Sequence, residues 1–187
     1  MSLITVLTPD EHGPAAAETI ALAERSALPR RPVIGLVVNG KPLADELMHA
    51  LADELGQRLG RPLEVVLVRK PSAGHQLADD VADALAQRAD WAIAGLGDCG
   101  ACSTCSLYDA VMLERRGVPA TVLITEPFQT LIASIAAKLG APGYHSIAVP
   151  HPVWGKDEAQ LRSLARPVAA TAVTQLLAPL RGGVAAA

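Results

Sequence analysis

Aromatic side chains are almost missing from this chain: one Phe, two Tyr and two Trp make up 3% of its 187 residues. With half the residues hydrophobic, any core has to be built from Ala, Leu, Val and Ile. No basic run is longer than Arg30–Arg31 or Arg115–Arg116, and the formal net charge is −3. Charge therefore gives no reason to expect a nucleic-acid partner or a membrane-surface patch. No apolar stretch approaches the ~18 residues of a membrane span. The opening MSLITVLTPDEHGP has neither a basic start nor an apolar run, so no secretory signal is expected and a cytoplasmic location is. Cysteine is scarce too. The chain has three, Cys99, Cys102 and Cys105, all within GDCGACSTCSLYDAVMLERRG. In a reducing compartment, such a cluster points to metal binding or thiol chemistry rather than to a structural staple. Three is also odd, so pairing alone leaves one thiol over.

What is present is a rhythm. Residues 1–31 read as an irregular arm, with Ala15–Leu28 as one short helix, packed on the domain or on a partner subunit. From residue 32 to 181, apolar runs of strand length alternate with helical periodicity. The strand readings are Val33–Val38, Leu63–Val68, Trp91–Gly95, Pro119–Ile124 and His145–Pro150. Leu43, Leu47, Leu51, Leu55 and Leu59 recur every fourth residue through the first helix. Further helices are expected over Gln76–Ala89, Ser106–Gly117, Phe128–Gly140 and Lys156–Leu180, and residues 182–187 are expected to fray. The repeated alternation of strand and helix predicts an α/β fold of three layers, αβα. It is a doubly wound parallel sheet of about five strands in the flavodoxin-like order 2-1-3-4-5. Continuously apolar strands fit burial on both faces.

Such sheets bind ligands beyond the carboxyl ends of their strands, near the switch point. Five turns qualify: Asn39–Pro42, Lys70–Ser72, Gly97–Cys102, Thr125–Pro127 and Pro150–Pro152. All three cysteines therefore fall in or just after a candidate active-site turn. Gly95, Gly97 and Gly100 allow close approach there. A helix beginning near Ser103 or Ser106 would favour negative charge on a neighbouring sulfur. Cys99 and Cys102 form a C-x-x-C pair able to close into a disulfide, and Cys102 and Cys105 share a helix face if the helix starts early. Lys41 would favour a thiolate and Asp98 would oppose it.

Two chemistries fit the thiols. In one, Cys99, Cys102 and Cys105 carry out thiol redox or covalent catalysis. In the other, Cys99, Cys102 and Cys105 with His151, His145 or Glu126 hold zinc, or three thiolates hold an iron–sulfur cluster. Asn39, Lys41, Asp98, Thr125, Glu126 and His151 are the candidate substrate-binding or proton-moving groups. Lys41 lacks the upstream glycines of a phosphate loop, which argues against an NTPase. Asp109 and Glu114 read as helix-surface charges. Trp154 reads as a lid or an interface anchor. His12, His49 and His75 receive no role.

The stretch GLGDCGACSTCSLYDAVMLERRGVPATVLITEPF, with VVNGKP before it and VPHPVW after it, resembles the UGSC family. These bacterial proteins are named for a selenocysteine-Gly-Ser-Cys motif and have cysteine-containing relatives. Cys99 matches the selenocysteine position and Cys102 the paired cysteine, while Ala101 stands where the family has serine. Cys99-x-x-Cys102-x-x-Cys105 is also similar to a selenocysteine-x-x-Cys-x-x-Cys run in the substrate-binding component of glycine, sarcosine and betaine reductases. The resemblance implies a nucleophilic or redox role for Cys99 with Cys102 resolving. The expectation is a thiol-based oxidoreductase or lyase acting on a small polar molecule with no cofactor, recycled by a thiol or reductase electron donor. A metal-dependent lyase or hydrolase is the alternative, with zinc or an iron–sulfur cluster as cofactor. A non-catalytic subunit of a homo-oligomer or hetero-complex is a further one.

Overall fold

A computed structural model of the chain describes residues 19–177. Five strands form one parallel sheet: β1 (Val33–Val38), β2 (Glu64–Arg69), β3 (Trp91–Gly97), β4 (Ala120–Thr125) and β5 (Ser146–Val149). Their order is β2-β1-β3-β4-β5, the flavodoxin-like order, with the switch point between β1 and β3. Helices α1 (Ala44–Arg58) and α5 (Glu158–Leu176) pack on each other and on one face of the sheet. Helices α2 (Asp79–Ala86), α3 (Gly100–Glu114) and α4 (Gln129–Lys138) cover the other. No helix among the described residues is long and apolar enough to cross a membrane.

Strand alternation sorts the core into two layers. Leu36, Ile93, Leu123 and Ile147 point to the α1/α5 side, where Leu47, Leu51, Leu161 and Ala165 meet them. Val37, Ala92, Ala94 and Val122 point to the other side, against Leu85, Leu107, Val111 and Ile132. The shortage of aromatics is met by close approach of small residues: a Cβ added to Gly35 would come within 3.0 Å of Leu85. The three inner strands are buried almost throughout, whereas β2 lies at an edge and exposes Glu64, Val65 and Arg69.

Three expectations need correction. Residues 19–28 of the arm are not helical. The Ala23 N–H, which a helix would use internally, is donated to Glu114 Oε2 at 2.8 Å. Arg25 adds a two-pronged ion pair to the same carboxylate, and Ile20 N–H donates to Gly140 O at 2.8 Å. The arm therefore crosses the domain as a strap; residues 15–18 lie outside the described residues. Second, α3 starts at Gly100, three to six residues earlier than expected, because Cys99 caps it. Third, Asp109 and Glu114 are not surface charges: both are buried. The expected fraying tail, residues 182–187, lies outside the described residues.

Candidate functional site

The site forms where β3 passes into α3. Gly97 ends β3 with Ser103 pressed against it. A Cβ there would stand 2.6 Å from Ser103 Oγ and 2.8 Å from Ile124 Cγ2, so only glycine lets the helix seat this closely. Asp98 and Cys99 are thereby drawn to the helix entrance. Cys99 is the N-cap residue, in extended backbone (φ −147°, ψ 166°). Its sulfur accepts the Cys102 N–H at 3.2 Å, and Cys102 Sγ accepts the Cys99 N–H at 2.9 Å. This is a capping box written in sulfur. A neutral thiol is a poor acceptor, whereas a thiolate gains both from the amide hydrogen and from the positive end of the helix.

Cys99 and Cys102 are joined as a disulfide in this structure, with Cα atoms 5.4 Å apart. The two differ in access: Cys99 is half-buried, while Cys102 is 1% exposed. Cys102 Sγ stands 3.4 Å from Asp98 Oδ1 and 3.3 Å from Cys99 O, within reach of an S–H once the pair is reduced. Cys105, one helical turn further on, is a half-buried free thiol.

Lys41 reaches across the switch point to Asp98, with Nζ 3.1 Å from Oδ1. The two charges expected to act oppositely on the thiols are thus joined in one ion pair. Asn39 is buried, and its amide donates to Leu96 O at 2.7 Å while its backbone N–H donates to Gly95 O at 2.9 Å. It clamps the β1–α1 turn to the end of β3. Thr125 Oγ1 donates to Gly97 O at 3.4 Å and lies 3.1 Å from His151 Nδ1. Phe128 meets the His151 ring edge-on, with centroids 6.3 Å apart. Glu126 is exposed on a single 3-10 turn, Glu126–Phe128, at the end of β4.

Of the residues expected at the site, Lys41, Asp98, Cys99 and Cys102 are therefore joined by direct contacts. Thr125 and His151 form a second pair tied to the end of β3. Asn39 is a buried clamp, Cys105 stands one turn away and Glu126 lies on the surface. As possible metal ligands, the donor atoms of Asp98, Cys99 and Cys102 all lie within 4.8 Å of one another. Cys105 and His151, expected as further ligands, fall outside that group: His151 is turned to Thr125, and Cys105 is a helical turn on.

Sequence reasoning missed the ion pair beneath the site. Lys70 Nζ is bonded to Asp109 Oδ2, and both side chains are 1% exposed. Asp109 Oδ1 accepts the Leu77 N–H at 2.6 Å, which closes the β2–α2 loop onto α3. Burial raises the Asp109 carboxyl above its ordinary value, against the hydrogen bonds from Lys70 and Leu77. One signal was available: Asp109 follows Cys102 by seven residues and so lies on the same helix face.

A family model described as "UGSC family" matches residues 5–178. No curated protein matches the chain. Among solved structures, a diflavin flavoprotein A3 from Nostoc sp. aligns at 16% identity with a TM-score of 0.43, covering 75% of this chain and 91% of that one. The lactose-specific IIB component domain of a phosphoenolpyruvate:carbohydrate phosphotransferase system from Streptococcus pneumoniae aligns at 10% identity with a TM-score of 0.39. That alignment covers 78% of this chain and 98% of the other.

Proposed function

The chain belongs to the UGSC family, and from that premise we propose that it is a thiol-dependent enzyme that cleaves a small polar substrate reductively through Cys99 and Cys102. One observation carries the reading: the Cys99 sulfur caps a helix, where an anion is stabilised, while touching the sulfur of Cys102.

The chemistry runs in two displacements. Cys99 thiolate attacks an electrophilic carbon or sulfur of a substrate R–X. The S–R bond forms, the R–X bond breaks, and X leaves with its electron pair. Cys102 then attacks Cys99 Sγ, giving up its proton to Asp98, which stands 3.4 Å away. The S–S bond forms, the S–R bond breaks, and R leaves with the electron pair, held on sulfur or on a carbon next to a carbonyl, and takes up a proton. The substrate gains two electrons and the dithiol loses them. An external dithiol or a reductase returns them by exchange.

The difference in access suits the two roles. Cys99 is open enough to meet a substrate, whereas buried Cys102 meets only a sulfur already held on Cys99. Lys41, paired with Asp98, and His151, held by Thr125, are the groups proposed to bind an anion or move a proton. The test uses the reduced chain and iodoacetamide, with each alkylated cysteine located by peptide mass spectrometry. Cys99 is expected to react first, at a pH where Cys105 is still largely unmodified. Equal or slower reaction at Cys99 would overturn the reading. Turnover by the isolated chain, once a substrate is found, would separate an enzyme from a subunit of a larger complex.

A further inference from the structure

The same turn has a second capacity, which rests on the thiol reading above only in assigning that turn the chemistry to be blocked. We infer that the reduced turn is a three-ligand zinc site, formed by the Asp98 carboxylate and the Cys99 and Cys102 thiolates, and that Zn²⁺ there silences the thiol chemistry until the pair is oxidised.

The donors fit the ion. Two soft sulfurs and one carboxylate oxygen are a ligand set that zinc accepts. Zinc holds sulfur at about 2.3 Å and carboxylate oxygen at about 2.0–2.2 Å, so neighbouring ligands of a tetrahedral ion stand about 3.5 Å apart. Cys102 Sγ and Asp98 Oδ1 stand 3.4 Å apart, and all three donor atoms lie within 4.8 Å of one another; the two sulfurs are bonded to each other in this structure, so the pair opens on reduction before it takes the ion. The short helical spacing presets the pair: Cys99 caps α3 and Cys102 is three residues in. Partial exposure of Cys99 and Asp98 leaves the fourth position to water. Cys105 and His151 are not needed to complete the set.

The site is coupled to redox state by simple balance. Each thiol gives up its proton as it becomes a zinc ligand, so loading releases two protons and removes both the nucleophile and the resolving thiolate. A small disulfide that oxidises the pair takes two electrons, forms the Cys99–Cys102 bond, is itself reduced to two thiols, and leaves zinc with one carboxylate. The ion then dissociates. Lys41 opposes loading, because its ammonium already holds Asp98 at 3.1 Å. Its removal should tighten zinc while weakening any anionic substrate, so the two effects of this residue run in opposite directions.

The experiment titrates Zn²⁺ into the reduced, chelator-stripped full chain against a chromophoric competitor. The expected result is one zinc per chain, lost after oxidation with glutathione disulfide. Asp98→Asn should weaken binding at least about tenfold, as loss of a direct ligand requires. Cys105→Ser should leave it unchanged, and Lys41→Gln should tighten it. Far-UV circular dichroism checks that each variant is folded. Cadmium–thiolate absorbance gives a second readout, with an amplitude for two thiolates in the wild type and in Cys105→Ser alike. No stoichiometric binding, unchanged affinity in Asp98→Asn, or loss of binding in Cys105→Ser would each overturn the inference. Thiol titration of the same samples reports separately on the reading above. A chain that closes the Cys99–Cys102 disulfide without ever binding zinc refutes the zinc site alone. One that binds zinc in the predicted variant pattern but never closes the disulfide upholds the three-ligand site, overturns its release by oxidation and refutes the thiol reading.

Discussion

At the residue scale, one side chain performs two tasks. Cys99 caps a helix and presents a sulfur, and each task supports the other because an N-cap site favours negative charge. The spacing of the cysteines was visible in the sequence, and so was their place after a strand. That Cys99 itself starts the helix was not, since Ser, Thr, Asp and Asn are the residues that ordinarily announce an N-cap. The Lys41–Asp98 ion pair joins residues 57 positions apart and was legible only as two separate charges. A prediction at this scale uses 5,5′-dithiobis(2-nitrobenzoate). In a Cys105→Ser background, the Cys99–Cys102 pair should release two equivalents of thionitrobenzoate and end as an intramolecular disulfide. With Cys102→Ser added, release should stop at one equivalent and the label should stay on Cys99. Label found on residue 102 of the Cys99→Ser chain at an equal rate would contradict the assigned roles.

At the element scale, α3 is held at three points along its length. Cys99 caps its start, Asp109 ties its middle to Lys70 and Leu77, and Glu114 ties its end to the arm and to β4. The Glu114 carboxylate takes hydrogen bonds from Ala23 N, both terminal nitrogens of Arg25, and Ala120 N. Glu114→Ala leaves these donors without their acceptor and should cost about 3–5 kcal/mol, read from urea unfolding. Arg25→Ala should cost less, because Ala23 and Ala120 still satisfy the carboxylate. A loss below about 1 kcal/mol for Glu114→Ala would mean that the strap is not held as described. Asp109 supplies a pH signature. Its folded value is raised above the unfolded one, so its contribution is fullest below the ordinary carboxylate range and is lost as pH rises through the raised value. Stability of the wild type relative to Asp109→Asn should therefore fall as pH climbs from about 4. A difference that stays flat or grows over that interval would contradict the assignment. These anchors escaped the sequence reading for one reason. A lone carboxylate on a helix looks solvated until the chain that folds back over it is known, and here that chain is a non-helical arm and a β2–α2 loop.

At the scale of the whole molecule, what could be read was what repeats. Uninterrupted apolar runs and leucines at every fourth residue carried the alternation of strand and helix; right-handed crossovers left few sheet orders, among them the observed β2-β1-β3-β4-β5, which puts the thiols at the carboxyl end of the sheet. What does not repeat, such as the path of the arm and the partners of buried charges, depends on contacts between distant segments. The two tryptophans offer a check on the packed molecule. Trp91 is 1% exposed on β3, whereas Trp154 is 75% exposed on the loop after β5. Trp154→Phe should leave a blue-shifted emission that iodide barely quenches, with stability changed by less than about 0.5 kcal/mol. Strong quenching of the remaining tryptophan would argue against this packing.

The pairing of Cys99 with Cys102 is tested most directly by equilibrating the full chain in a graded glutathione redox buffer and alkylating it under denaturing acid quench. Peptide mass spectrometry then locates each modified cysteine. The account predicts one disulfide, between Cys99 and Cys102, forming and disappearing as a two-electron unit while Cys105 stays alkylated throughout. A disulfide that includes Cys105, or three cysteines alkylated alike at every potential, would contradict it.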